Sequence, residues 1–201
     1  MSLQILLVWA KGNPSTADRT AVTQTIADAQ AIYNQKSLGA PILNLEIWGE
    51  VNVEEEGILP NDIGYTDDQD YVDAGSAEGV KLAKVRDYYL SANHRREKPV
   101  FVLFVVPAGE LKKANGFALL NGYCAVLPVP TGVPGTADGH TYAHEIGHGL
   151  SLVHINDGSN VMYPFRWFGT DLSGNILEDD QYGQFGTFIR RQHPSLVMKE
   201  A

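Results

Sequence analysis

The residues best equipped for chemistry lie in one run, His144-Glu145-Ile146-Gly147-His148-Gly149-Leu150-Ser151-Leu152-Val153-His154. His144 and His148 are four positions apart, so on a helix of about 3.6 residues per turn they share a face and both rings can reach one ion. Glu145 is then offset around the helix, where a carboxylate is better placed to take a proton from an attacking water than to act as a ligand. His154 comes six residues after His148, too far to stay on that face, so the chain must turn back for it to become a third ligand. Gly149 and Ser151 sit where such a turn would begin. Three protein ligands leave a fourth position open, the arrangement of a catalytic zinc site and not of a structural one. The chemistry implied is metal-assisted hydrolysis.

A lone histidine is more often a satisfied core or surface imidazole than a ligand. The spaced set is different, because chance produces this four-residue pattern on the order of three times in ten thousand chains of this length. His140 continues the spacing through His144 and His148. Binding metal through it would leave Glu145 and His154 without roles, so it is assigned to the first helical turn or to a place behind the ligands.

Met162 follows His154 by eight residues, within Asn160-Val161-Met162-Tyr163-Pro164. Together the two segments resemble the metzincin clan of zinc endopeptidases, in particular the matrixins, whose Met-turn reads Leu-Met-Tyr-Pro at this separation. The resemblance implies zinc on His144, His148 and His154, Glu145 as general base, and Met162 as a thioether floor beneath the ligands. A methionine alone is as readily a filler of core gaps; the distance from His154 and the following Tyr-Pro favour the family reading. Two departures stand out. Metzincins carry glycine three residues after the second histidine, where this chain has Ser151; if that position takes a positive φ, serine costs about 1 kcal/mol or more. Some metzincins also place a metal-binding tyrosine two residues after the methionine, but that position is Pro164, so Tyr163 is not expected to ligate.

The same resemblance assigns substrate contacts. Phe117, Ala118 and Leu119 would form the edge strand that pairs with extended substrate through main-chain groups, an ordinary hairpin being the plainer alternative. Tyr163, Pro164 and Phe165 would begin the wall of the pocket for the side chain following the scissile bond, continued by Arg166, Trp167 and Phe168, with core packing as competitor. Asp179 and Asp180 resemble the paired aspartates that open the last matrixin helix, with Phe185, Phe188 and Ile189 as its buried face. Structural Ca2+ is implied by the family as well as Zn2+; the loop near Asp67 and the segment Asp171-Leu172-Ser173-Gly174-Asn175 are the candidates, solvated loops being the plainer reading. Secretion is likewise an implication of the family. Met1-Ser2-Leu3 leads almost directly into the apolar run from Ile5 to Trp9, which is wrongly flanked for a signal peptide.

Composition bounds the rest. With 201 residues, 44% of them hydrophobic, the chain can bury a substantial core. A formal charge of -9 argues against non-specific binding to nucleic acid or to an anionic membrane surface. No apolar run is long enough to span a bilayer. Cys124 is the only cysteine, so no internal disulfide can form.

Periodicity sets the elements that must hold the site. Gln4 to Trp9 reads as a strand. Ser15-Thr16-Ala17-Asp18 is a helix start, followed by Val22, Ile26, Ala29 and Tyr33 at helical spacing, with Gly39 and Pro41 as the stop. From Asn44 to Val53, apolar Leu45, Ile47, Val51 and Val53 alternate with polar residues, a strand with one wet face. An acidic loop with Asp67, Asp68, Asp70 and Asp73 precedes a helix marked by Leu82, Val85, Tyr89 and Ala92. Val100 to Val106 is the most hydrophobic strand and belongs at the sheet centre. Gly116 to Pro128 reads as two short strands with a turn at Asn121-Gly122.

Two strand-helix-strand crossovers imply an α/β order with a mostly parallel sheet. With the resemblance, the expectation is a metzincin-like α/β (α+β) domain. It has a twisted, mostly parallel sheet with one antiparallel edge strand, two long helices, an active-site helix, and a small C-terminal lobe with the Met-turn and a terminal helix. Residues 1–201 form one metalloprotease catalytic domain, 1–154 the N-terminal lobe and 155–201 the C-terminal lobe. The expected partner is a peptide or protein substrate met by a monomer. Two alternatives stay open: a zinc-holding binding protein without catalysis, and a gluzincin-type peptidase using a distant glutamate such as Glu178.

Overall fold

Ser15 fixes where the first helix begins. Its hydroxyl accepts from the Asp18 N–H at 3.1 Å while the Asp18 carboxylate accepts from the Ser15 N–H at 2.9 Å, a reciprocal cap on otherwise orphaned donors. The Ser15 hydroxyl, 2.7 Å from the Asp18 carboxylate, and the Ser15 N–H both donate to it and hold its pKa below the ordinary value. The computed structural model, which describes residues 2–10, 13–34, 43–53, 71–93, 100–111, 115–133, 136–155 and 160–163, runs this helix, α1, over Thr16–Tyr33. Val22, Ile26, Ala29 and Tyr33 form its buried stripe, as their spacing predicts.

Six strands make one sheet: β1 Ser2–Trp9, β2 Asn44–Asn52, β3 Tyr71–Val72, β4 Val100–Val106, β5 Phe117–Leu119 and β6 Cys124–Pro128, in the order β2-β1-β4-β6-β5-β3. Every pairing is parallel except β5 with β6. Two further helices, α2 over Ala77–Asn93 and α3 over Gly139–Gly149, complete the described elements. The mixed α/β architecture with a mostly parallel sheet is therefore observed.

All seven residues of β4 are buried, which requires cover on both faces of the sheet. Alternation along the strand divides them. Phe101, Leu103 and Val105 enter one core with Leu3, Ile5, Leu7 and the inner faces of α1 and α3. Val100, Val102, Phe104 and Val106 enter the other with Leu6, Val8 and, from α2, Leu82 and Tyr89. Each fully buried side chain of this size contributes about 1.5–3 kcal/mol.

Three expectations are corrected. β2 does not keep its alternation: β1 pairs Ile5 with Ile47 but Leu6 with Gly49, so Trp48 is an extra residue, a β-bulge on an outer strand. Ile47 is in consequence 39% exposed and Trp48 42%. Ala92, expected on the buried face of α2, is exposed; it lies in the last turn of the helix, about 80° around the axis from Leu82. The antiparallel strand β5 is not outermost, since the two residues of β3 pair along its far side. Of the expected acidic loop, Asp67, Asp68 and Asp70 lie outside the described residues and Asp73 directly follows β3; the predicted terminal helix and nearly all of the C-terminal lobe also lie outside them. Among the described residues no helix is long and apolar enough to cross a membrane.

Candidate metal centre

Asp138 starts α3: its carboxylate accepts from the Thr141 N–H at 3.1 Å. The helix is tied to α1 and to the sheet. The Tyr33 hydroxyl donates to the Ala143 carbonyl from α1, the Tyr142 hydroxyl donates to the Pro128 carbonyl at the end of β6 at 3.1 Å, and every residue of α3 is buried.

The exit from α3 decides the position of His154. Ser151 takes φ +86°. Its N–H donates to the His148 carbonyl at 3.0 Å, and the Leu152 N–H reaches back to the Gly147 carbonyl at 2.9 Å. This is the paired closure of a Schellman motif, which normally places glycine at the left-handed residue. Ser151 therefore bears the strain expected of it, while Gly149, expected to share the turn, stays helical. Two more N–H groups cover the helix end: Asn121 donates to the His148 carbonyl at 3.2 Å and Tyr123 to that of Gly149 at 3.0 Å. Both donors lie in the β5–β6 turn, where Asn121 and Tyr123, not Gly122, take positive φ.

Beyond that turn the imidazoles meet. Nε2 of His148 lies 3.0 Å from Nε2 of His144 and 3.2 Å from Nε2 of His154. A carbonyl can only accept, so the contacts of Nδ1 of His144 with the Val161 carbonyl at 2.6 Å and of His148 with the Leu152 carbonyl at 2.7 Å put a proton on each Nδ1. The Nε2 lone pairs of both rings are left facing one another. At 3.0 Å two such lone pairs repel unless a cation shares them. Ligands 2.0–2.1 Å from a tetrahedral zinc stand about 3.3–3.4 Å apart, close to the observed spacing. His144, His148 and His154 form the one cluster among the described residues that could hold a metal ion, and its donor set fits an ion such as zinc. Carbonyl partners on the second ring nitrogen are the usual means of fixing a ligand histidine.

Glu145, 2% exposed, follows His144 on α3. Gly116, just before β5, lies against it: a Cβ there would stand 2.9 Å from Glu145 Cγ and 3.3 Å from Cδ. His140 occupies the first turn of α3, its ring stacked on that of His144 at 6.2 Å between centroids, and it is not part of the cluster. Met162 is fully buried in a turn where Tyr163 N–H donates to the Asn160 carbonyl at 3.1 Å. Its sulfur packs against α3 at Gly147, 2.7 Å from where a Cβ would be. The Ile155 N–H donates to the Met162 carbonyl at 3.0 Å, tying this turn to the segment that carries His154.

Phe117, Ala118 and Leu119 are buried, and the outer edge of their strand carries β3 instead of standing free. Tyr163 is half-buried; Pro164, Phe165, Glu178 and the proposed calcium segments lie outside the described residues, Asp73 again excepted. Tyr71 is the residue that sequence reasoning missed. Its ring centroid lies 4.7 Å from that of His148 and 5.5 Å from that of His154, and a strand of two residues carries no periodicity by which to find it.

No protein-family model matches the chain, and no curated protein matches it in sequence. Solved structures do. Metalloproteinase-II from Bacteroides fragilis superposes with a TM-score of 0.56 at 16% identity, over 94% of this chain and 53% of that one. A chain from a chaperone–substrate complex superposes with a TM-score of 0.57 at 11% identity, over 94% of this chain and 35% of its own length. Likeness at such identities shows the fold, and the fold is that of a metalloproteinase-like mixed α/β protein whose three clustered histidines could hold zinc.

Proposed function

We propose that the chain is a zinc-dependent endopeptidase of the metzincin type. The convergence of three Nε2 atoms, two of them on rings whose Nδ1–H is anchored to a carbonyl, carries the reading. His144, His148 and His154 would hold the ion. Zinc held there supplies a Lewis acid that polarises the scissile carbonyl and brings a water within reach of deprotonation near neutral pH. Glu145 takes the proton from the attacking water and returns it to the leaving amine, a general base that becomes a general acid within one cycle. Its burial favours this shuttle, because a carboxylate out of bulk water exchanges protons chiefly with what is bound beside it. Met162, against the underside of α3, would serve as the floor, and Tyr163 with Pro164 and Phe165 as the start of the pocket wall.

Two substitutions test the assignment against each other. Glu145→Ala is expected to abolish casein hydrolysis while the protein retains stoichiometric zinc by elemental analysis. His154→Ala is expected to lose both, with zinc affinity down by roughly a hundredfold or more. Turnover in the wild type should vanish with a chelator and return with zinc. Near wild-type turnover in Glu145→Ala, or full zinc occupancy and activity in His154→Ala, refutes the proposal.

A further inference from the structure

On the peptidase reading, an extended substrate would add to the sheet along the outer side of β5, and the chain already fills that place. Tyr71 and Val72 pair in parallel with Ala118 and Leu119, and the Leu120 N–H donates to the Val72 carbonyl at 3.0 Å. From the same two residues, the Tyr71 ring packs on the rings of His148 and His154. One short strand thus covers a hydrogen-bonding edge and two of the three clustered histidines. An exposed edge offers its backbone groups to any extended chain, and added strands are held chiefly through them. Two chains cannot use the same donors and acceptors at once.

The covering strand is slight. β3 contributes two residues, both half-buried, to the flank of a strand that is itself fully buried. Segments with few buried contacts open locally at much lower cost than the core of a fold. Val72 packs only partly against the core that includes Leu119, so opening would expose little apolar surface.

We propose that Tyr71–Val72 is an intrasteric strap: it takes in cis the strand position of an extended peptide and shields His148 and His154, and peptide binding requires it to move aside. The identity of the competitor rests on the peptidase reading; the strap itself rests on the pairing and the ring contacts. Observed peptide affinity is then lowered by the fraction of molecules in which the strap is open.

The test uses the zinc-loaded full chain and its Tyr71→Ala, Tyr71→Phe and Val72→Pro variants, the last removing a backbone donor from the strand. Affinity is measured by calorimetry for a peptide hydroxamate long enough to pair with β5 and for acetohydroxamate, which is not, and hydrogen exchange is followed at the Leu120 amide. Tyr71→Ala and Val72→Pro are expected to speed that exchange and to tighten the peptide hydroxamate by about tenfold without weakening acetohydroxamate. Tyr71→Phe, which keeps the ring, is expected to match the wild type. Faster exchange without tighter peptide binding overturns the proposal, as does unchanged exchange in both loosened variants. Loss of acetohydroxamate binding in Tyr71→Ala also overturns it, since the ring would then be a support for the histidines. Binding is read without turnover, so a protein that binds as expected but cleaves no peptide refutes the peptidase reading and leaves the strap standing.

Discussion

The Nδ1–H of His148 donates to the carbonyl of Leu152 at 2.7 Å, and the N–H of Leu152 closes the helix that carries His148 by reaching Gly147 at 2.9 Å. The turn that ends α3 therefore also orients one of the clustered rings. Its left-handed residue is Ser151, whose buried hydroxyl has no hydrogen-bond partner among the described residues.

Replacing that residue should help the fold. Glycine populates the left-handed region freely, and the change also removes a buried hydroxyl; against this stands the greater freedom glycine gives the unfolded chain. Ser151→Gly is expected to raise stability by about 1 kcal/mol with zinc affinity unchanged, read from urea unfolding of the metal-free protein. A loss of stability would show that the serine is not strained.

Gly116 should matter to the chemistry more than to the fold. A Cβ there would lie 2.9 Å from Glu145 Cγ and 2.5 Å from Leu127 Cδ2, closer than real contacts allow, so at least one of these two side chains must shift. Gly116→Ala is expected to lower kcat by about 10–100-fold, as small misplacements of a reacting group do, with zinc content retained. Unaltered kcat would mean that Leu127 alone gives way.

Cys124 supplies a pH dependence. Burial pushes its thiol from 9.0 up to about 12, whereas the unfolded thiol ionises near its ordinary value. Between those values the unfolded state binds fewer protons than the folded one, so this thiol's contribution to stability is complete below about 9 and falls as pH rises toward 12. Cys124→Ala is expected to flatten that alkaline decline in unfolding experiments. The native thiol should also resist iodoacetamide at pH 8 until denaturant is added; rapid labelling of the folded protein would contradict its burial.

How much was legible beforehand followed from how locally each feature is determined. His144, Glu145 and His148 were readable because one helix turn enforces their relation, and the capping box at Ser15 because its parts are three residues apart. The arrival of His154 could be anticipated as a necessary turn, but its execution by Ser151 instead of Gly149 depends on the hairpin that caps the helix. The bulge at Trp48 was hidden because the alternation in β2 is unbroken in sequence, and only the register against β1 reveals the extra residue. Tyr71 was out of reach: its partners lie at His148 and His154, and nothing local marks two residues as a strand.

The link from Asn121 and Tyr123 to the last carbonyls of α3 bears on how this protein can change over evolution. Surface hairpins ordinarily accept insertions and deletions freely. Here one added residue at 121 would withdraw two donors from the helix exit and disturb the anchor of His148. The β5–β6 connection should therefore keep its length in descendants that retain the cluster, while tolerating change in the identity of its side chains.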